Sequence, residues 1–521
     1  MKLSQRLGQI SQVIQQKTPA PVVLPFKGWH PDQHPLGNPG EIEASGLFPA
    51  QEGYRPMPGL AAQSDALSAR VRGATAAKNT SGDSYFYAGD ASKLYEIRGQ
   101  SATDKSGSAY SSGDEEGWEF AQAGNKIIAC NINTELQSIT IGGAGSFANH
   151  ITGSDTPTAR HMDIIGAGAG GGQFLMLGNV SDEGGLTPHR VRWSAIGDTT
   201  DFDESQTTQS DKEDLEGAGW VQRIVGGVEY GLIFLERRID RAYYIGTPPI
   251  WRFDSVDRQR GTHVPNSVVP HGRNVFYFSE EGFFVQDGTQ STPIGDNKVD
   301  KKLDSDFDPA NRHLVSAAVD HINKLVVWAF PLSSVLPNAL ICYHWPSGRW
   351  SHSSLATEMI VRAETQSFTL EDLDSLDAFS PDGIDTSGAP SLDSSQWRGG
   401  AYRLAAFNQS HQLAYFTGDN LAAQIIHGER QFSQGSTARL HAIRPLVDVS
   451  AGSLTCRTQH RRTQQASVTT STETTVDGDG KAPVNVDARY HRIQSDIAAA
   501  ATWSQWIGTE IEMIPGSKYG G

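Results

Sequence analysis

The residues most suited to chemistry or charge pairing are Glu236, Arg237, Arg238, Asp240 and Arg241, five charged side chains crowded between two apolar runs. That placement suits a hairpin turn. In water such a cluster is a salt-bridged hairpin worth little stability. At a protein surface the planar guanidinium forks pair bidentately with carboxylates, and the cluster is a candidate subunit interface. A second basic group, Arg190, Arg192, Arg461 and Arg462, could contact phosphate at a constriction or serve subunit contacts; subunit contacts are the expectation.

Other reactive patterns are absent or incomplete. Hydrolysis of a glycoside needs two positioned carboxyl groups, and no acid pair stands out from the general acidity. Ser112-Gly-Asp-Glu-Glu-Gly-Trp118 resembles a sialidase Asp box with altered spacing. It occurs once, and such boxes stabilise turns, so it is expected to be a blade turn. The run from Gly166 to Gly172 lacks the Lys-Ser/Thr of a phosphate loop and is expected to be a connector into the strand that follows. No serine is framed as G-x-S-x-G, and the 16 histidines form neither H-E-x-x-H nor H-x-E with C-x-x-C. His441 and His491 lie in strand-like runs and are expected to be packed or surface residues. Cys130, Cys342 and Cys456 are too scattered for a metal site or a disulfide framework and are expected to be buried thiols. The expectation is a non-enzymatic protein without metal or cofactor.

The elements that carry these residues are short strands. Among 521 residues are 54 Gly, 25 Pro, 20 Phe, 14 Tyr and 11 Trp, a composition of strands joined by tight turns. From residue 83 a loose repeat of strand, polar turn and strand begins near 83, 125, 172, 228, 272, 322 and 411. Most steps match the roughly 40 to 50 residues of a four-stranded propeller blade. The long last step contains the Asp- and Ser-rich segment 365–396, which cannot bury enough apolar surface for a blade and is expected to be an inserted loop. A strand from 46–60 is expected to complete the last blade and so remove an open sheet edge. Beyond 436 longer alternating runs predict a separate antiparallel sheet, with Ile493, Trp503, Trp506, Ile511 and Ile514 in its core. The polar stretch 466–481 is expected to be an exposed hairpin or loop. Near the start, Leu3, Leu7, Ile10 and Ile14 draw one apolar stripe along a helix, which either packs on its own chain or docks on a neighbouring subunit.

The fold expected is therefore all-β: a six- or seven-bladed β-propeller with an appended antiparallel sheet or sandwich and a short N-terminal helix. Its divisions are an N-terminal helix and extended arm (1–40), the propeller (41–435) and a C-terminal β-rich unit (436–521). With 59 acidic against 43 basic residues the net charge is −16, which argues against a phosphate-neutralising groove but not against nucleic acid as sliding cargo. No early apolar segment and no run of about 18 apolar residues is present, so a standard secretion signal and a spanning helix are not expected.

The ordered segments GLFPAQEGYRPMPGL, KLYEI, GWEFAQAGNKIIACN, HRVRWSAIGD, VGGVEYGLIFLERRIDRAYYIG, VPNSVVPHGRNVFYFSEEGFFVQDG, KLVVWAFP with LICYHWPSGRWS, and DARYHRI resemble the propeller-type tail hub proteins of bacteriophages, including the packaged-DNA stabilisation proteins of short-tailed phages. The resemblance covers about 40–515. It implies a homo-oligomeric ring, commonly a hexamer, in the virion tail and made in the bacterial cytoplasm. The adaptor and portal rings would lie above it, and a spike, fibre or needle below. Such a ring continues the channel for duplex DNA and retains the genome until infection; related propellers also serve as terminal nozzles. The alternative is a tail-borne carbohydrate-active or host-recognition propeller.

Overall fold

The computed structural model describes residues 20–168, 171–364, 402–433 and 436–515. The apolar stripe of Leu3, Leu7, Ile10 and Ile14 and the acidic segment 365–396 lie outside the described residues.

Seven antiparallel sheets follow one another along the chain. Blade 1 runs from Gly73–Lys78 to Ser101–Asp104, blade 2 from Glu119–Ala123 to Ala148–Asn149, and blade 3 from Thr158–Gly166 to Asp211–Asp214. Blade 4 runs from Val221–Val225 to Trp251–Asp257, blade 5 from Val269–His271 to Ser291–Pro293, and blade 6 from Ser316–Asp320 to Arg349–Ser353. Blade 7 contains Met359–Glu364, Tyr402–Phe407 and Leu413–Asn420, and takes its fourth strand from Pro58–Ala62. The first strand of each sheet lies against that of the next, except that blade 4's meets the short helical turn Pro265–Ser267 leading into blade 5, and blade 7 returns to blade 1. This is a closed seven-bladed β-propeller, clasped by an N-terminal strand that starts near the end of the expected 46–60 segment and runs past it, while Leu47–Pro49 and Tyr54–Pro56 join another sheet.

The physical unit of the ring is the gap between blades. Separate apolar clusters fill the spaces between blades 1 and 2, 2 and 3, 3 and 4, 4 and 5, 6 and 7, and 7 and 1, while the space between blades 5 and 6 merges with the large C-terminal core. A blade's middle strands are covered on both faces, so they read as unbroken apolar runs instead of alternating. Ser84–Gly89, Leu325–Phe330 and Ala339–His344 are buried at every position. The repeat that begins near 411 coincides with blade 7's third strand and not its first pair: the second strand is Tyr402–Phe407, and Ala423–His427 leaves the propeller.

Blade 6 does not stop at its fourth strand. Glu41–Ser45 lies parallel to Arg349–Ser353, with Ser45 opposite His352, and carries the sheet on through Ala423–His427, Tyr490–Ile497 and Leu454–Arg461. A second sheet faces this extension, made of Ala438–Val447, Trp506–Pro515 and Ala482–Ala488 with Ala20–Pro25, Leu47–Pro49 and Tyr54–Pro56. Ile493, Trp503, Trp506 and Ile511 are buried between them, while Ile514 is only half-buried. Within 466–481, Thr469–Thr470 and Thr474–Thr475 fold back on Leu454–Arg461.

Candidate functional site at the axial channel

Each blade's first strand lines the axis, so the loop leading into it reaches the channel mouth. The lead into blade 1 brings Arg70 and Arg72, and that into blade 2 brings Asp114, Glu115 and Glu116. Trp220 comes from the lead into blade 4 and Arg312 and His313 from that into blade 6. Together they bound a cavity of about 300 Å³. A second cavity of about 460 Å³ continues along the first strands.

The Asp-box-like segment is held rigidly at this mouth. Arg72 Nη1 donates to the Ser112 carbonyl at 2.7 Å and Nη2 pairs with Asp114 at 2.8 Å, while Asn131 Nδ2 donates to the Gly117 carbonyl at 2.8 Å. Gly73 is required beside it, because a Cβ there would lie 2.0 Å from the Trp118 carbonyl oxygen. The sequence predicts a blade turn at 112–118; the structure instead places this segment in the connection between blades 1 and 2, at the mouth.

Carboxylates near the axis act as straps between blades. Glu119 of blade 2 lines both cavities; His161 Nδ1 of blade 3 lies 2.8 Å from it, Arg223 of blade 4 pairs with it, and Met162 N–H donates to it at 3.0 Å. Burial alone would favour the neutral acid, but Arg223 and then His161 outweigh it and hold the Glu119 carboxyl below its ordinary range. Asp163 of blade 3 accepts from Gly226 N–H of blade 4 at 2.7 Å, and burial raises its pKa. Glu358 and Glu364 of blade 7 accept from Val71 N–H and Ser84 Oγ of blade 1 at 3.2 and 2.7 Å. Glu116 pairs with Arg160 at 2.6 Å. Each of these acids is already satisfied by a neighbour, an arrangement that fixes blades and binds polar ligands but offers no free pair for acid–base chemistry.

The cluster at Glu236 is divided by the fold. Gly231–Leu235 and Ile239–Tyr244 pair as a hairpin, so Glu236, Arg237 and Arg238 form its turn and Asp240 and Arg241 lie on the strand. Arg238 Nε donates to buried Asp240 at 2.8 Å, and Arg241 reaches the Gly288 carbonyl at 3.3 Å. Arg237 alone of the five is exposed. Arg190 pairs bidentately with Asp214 at 2.7 and 2.8 Å; buried Arg192 donates to the Phe202 carbonyl at 2.8 Å; and Arg461 grips buried Glu429, leaving Arg462 exposed.

No family model and no curated protein matches the chain. Among solved structures it is similar to the extracellular domain of a hybrid two-component system from B. thetaiotaomicron (11% identity, TM-score 0.40), covering 79% of this chain and 47% of that one. The chain thus spans less than half the length of that structure. It is also similar to BamB from Moraxella catarrhalis (8% identity, TM-score 0.34, covering 61% of this chain and 90% of that one). A third is the Pan2 WD40 domain of Neurospora crassa (7% identity, TM-score 0.36, covering 67% and 88%). At these identities the likeness extends to the β-propeller fold alone.

The remaining reactive groups have structural surroundings. All three thiols are buried, and burial pushes Cys456 up to about 12. His491 is buried, with Nε2 3.0 Å from the Ala438 and Ala488 carbonyls, whereas His441 is exposed beside Asn485. Among the described residues no group of three His, Cys, Asp or Glu side chains is placed to hold a metal ion, and no helix is long and apolar enough to cross a membrane.

Proposed function

We propose that this chain is one subunit of a homo-oligomeric ring in the tail of a bacteriophage, a hub or nozzle that continues the DNA channel below the portal and adaptor, retains the packaged genome and releases it at infection. The observation that carries the reading is the ordered series of segments across about 40–515 that resembles the propeller-type hub proteins. Two features of the fold support it. The sandwich is sewn to blade 6 through a shared sheet, with the N-terminal arm paired to Trp506–Pro515, so it adds surfaces beside those of the propeller that, in this reading, serve neighbours and the rings above and below. The axial channel is bridged by side chains such as Glu119 and Arg223, so the DNA path in this reading lies between subunits and not through a propeller.

Light scattering on the purified full chain, alone and mixed with portal and adaptor rings, together with negative-stain images, tests the proposal. A closed ring of several copies, six in the commonest arrangement, is expected. Arg237→Glu should weaken that ring while leaving the thermal midpoint unchanged. A chain that stays monomeric in both conditions would overturn the reading, as would release of reducing sugar from host polysaccharide that is lost on changing one carboxylate.

A further inference from the structure

We infer that the mouth of the axial channel binds an acidic sugar, a carboxylate-bearing pyranose unit of a polysaccharide, with Arg70 and Arg312 holding its carboxylate and the indole of Trp220 covering one ring face. This binding site is distinct from the assembly role proposed above and stands whether or not the chain forms a ring.

Three observations converge on it. Trp220 is 45% exposed at the cavity rim, and its carbonyl is fixed by the Glu236 N–H at 3.1 Å. A large indole presented on a rigid backbone is a platform for a flat, partly apolar ligand. The cations beside it are under-compensated. Arg312 is exposed, and its guanidinium makes no ion pair or hydrogen bond with any described residue. Arg70 Nη2 donates only to the Asp114 main-chain carbonyl, at 2.9 Å, while the Asp114 carboxylate is taken by Arg72. Burial, then the adjacent Arg72, lowers the Arg70 pKa, with Glu358 and Asp114 opposing the shift only in part.

The third observation is an acceptor without a donor. Asn179 lines the same cavity, is 1% exposed, and its Oδ1 has no hydrogen-bond partner. Its backbone is left-handed, at φ +58°, within a register shift of blade 3. Buried unpaired polar atoms and strained backbone concentrate where a ligand completes the site. A ligand hydroxyl reaching Oδ1 would supply the missing donor.

The anion is chosen by the acids around it. Exposed Glu115 and the neighbouring Glu116 would repel a doubly charged phosphate, but their oxygens accept from hydroxyl groups. A ligand with one carboxylate, several hydroxyls and an apolar ring face meets every demand of the cavity.

Isothermal titration of the full chain with trigalacturonate, with maltotriose and AMP as comparisons, tests this. Trigalacturonate should bind at least tenfold more tightly than either. Trp220→Ala and Arg312→Ala, both at exposed positions, should each weaken binding at least tenfold without moving the circular dichroism or the thermal midpoint. Asn179→Gly, which tolerates the left-handed backbone, should weaken it severalfold. No heat from trigalacturonate at millimolar concentration, tighter binding of AMP, or trigalacturonate affinity that survives both exposed substitutions would overturn the assignment.

Discussion

Glu41 shows how burial decides the charge state of a single residue. It is fully buried where the N-terminal arm meets blade 6 and the sandwich, and accepts from Gly28 N–H at 2.7 Å, Lys27 N–H at 3.1 Å and Tyr54 O–H at 3.2 Å. Desolvation still outweighs these donors and raises its pKa to about 7. His427 Nδ1 lies 3.9 Å away, and burial lowers that imidazole to about 3. Near pH 6 the two are therefore a neutral acid beside a neutral ring. The folded chain holds the Glu41 proton more tightly than the unfolded chain, whose value is near 4.5, so its contribution to stability is full below that pH and is lost as pH rises through 7. The loss is roughly 3 kcal/mol. His427 acts in the opposite sense, since the unfolded chain protonates near 6.5 and the folded one does not, so stability falls as pH drops from 6.5 toward 3. Glu41→Gln should therefore stabilise the protein at pH 8 relative to wild type and differ little at pH 5, as read from urea midpoints. Parallel wild-type and variant profiles between these pH values would refute the assignment.

Among the elements, the step from Glu41–Ser45 to Leu47–Pro49 is the most demanding, because it moves the chain from the blade 6 extension into the facing sheet within one residue. Gly46 makes that step at φ +71°, and a Cβ there would lie 2.0 Å from the Ala422 carbonyl oxygen. Gly272, in the blade 5 hairpin, has φ +62° but open space around it. Gly272→Ala should cost about 1 kcal/mol, the conformational term alone. Gly46→Ala adds a backbone collision and should cost more than about 2 kcal/mol. Equal losses in urea unfolding would show that the Gly46 turn relaxes freely.

For the whole molecule the governing quantity is the net charge of −16. Copies brought together repel over about 8 Å at physiological salt, so raising salt should favour the ring in light scattering. A ring that instead dissociates with salt would show that complementary charge pairs between subunits outweigh the net repulsion. The same field keeps duplex DNA from being gripped, and short duplexes should bind no better than about 10⁻⁴ to 10⁻⁶ M. Nanomolar affinity with a steep salt dependence would contradict this.

What the sequence alone determined was whatever depends on neighbouring residues. Middle strands such as Leu325–Phe330, and the Val275–Phe278 stretch of Asn274–Ser279, are apolar without interruption because two blades cover them, and that pattern marks a blade wherever it recurs. The alternating C-terminal strands and their tryptophans were equally legible. Tertiary structure decided what is assembled from distant segments. Glu41–Ser45 is short and polar in part, and nothing local shows that it joins strands from 349–353 and 423–427 into one sheet. Arg70, Asn179, Trp220 and Arg312 meet because leads into different blades and one blade hairpin converge on an axis, and a site built across a closed ring leaves no spacing along the chain by which to find it.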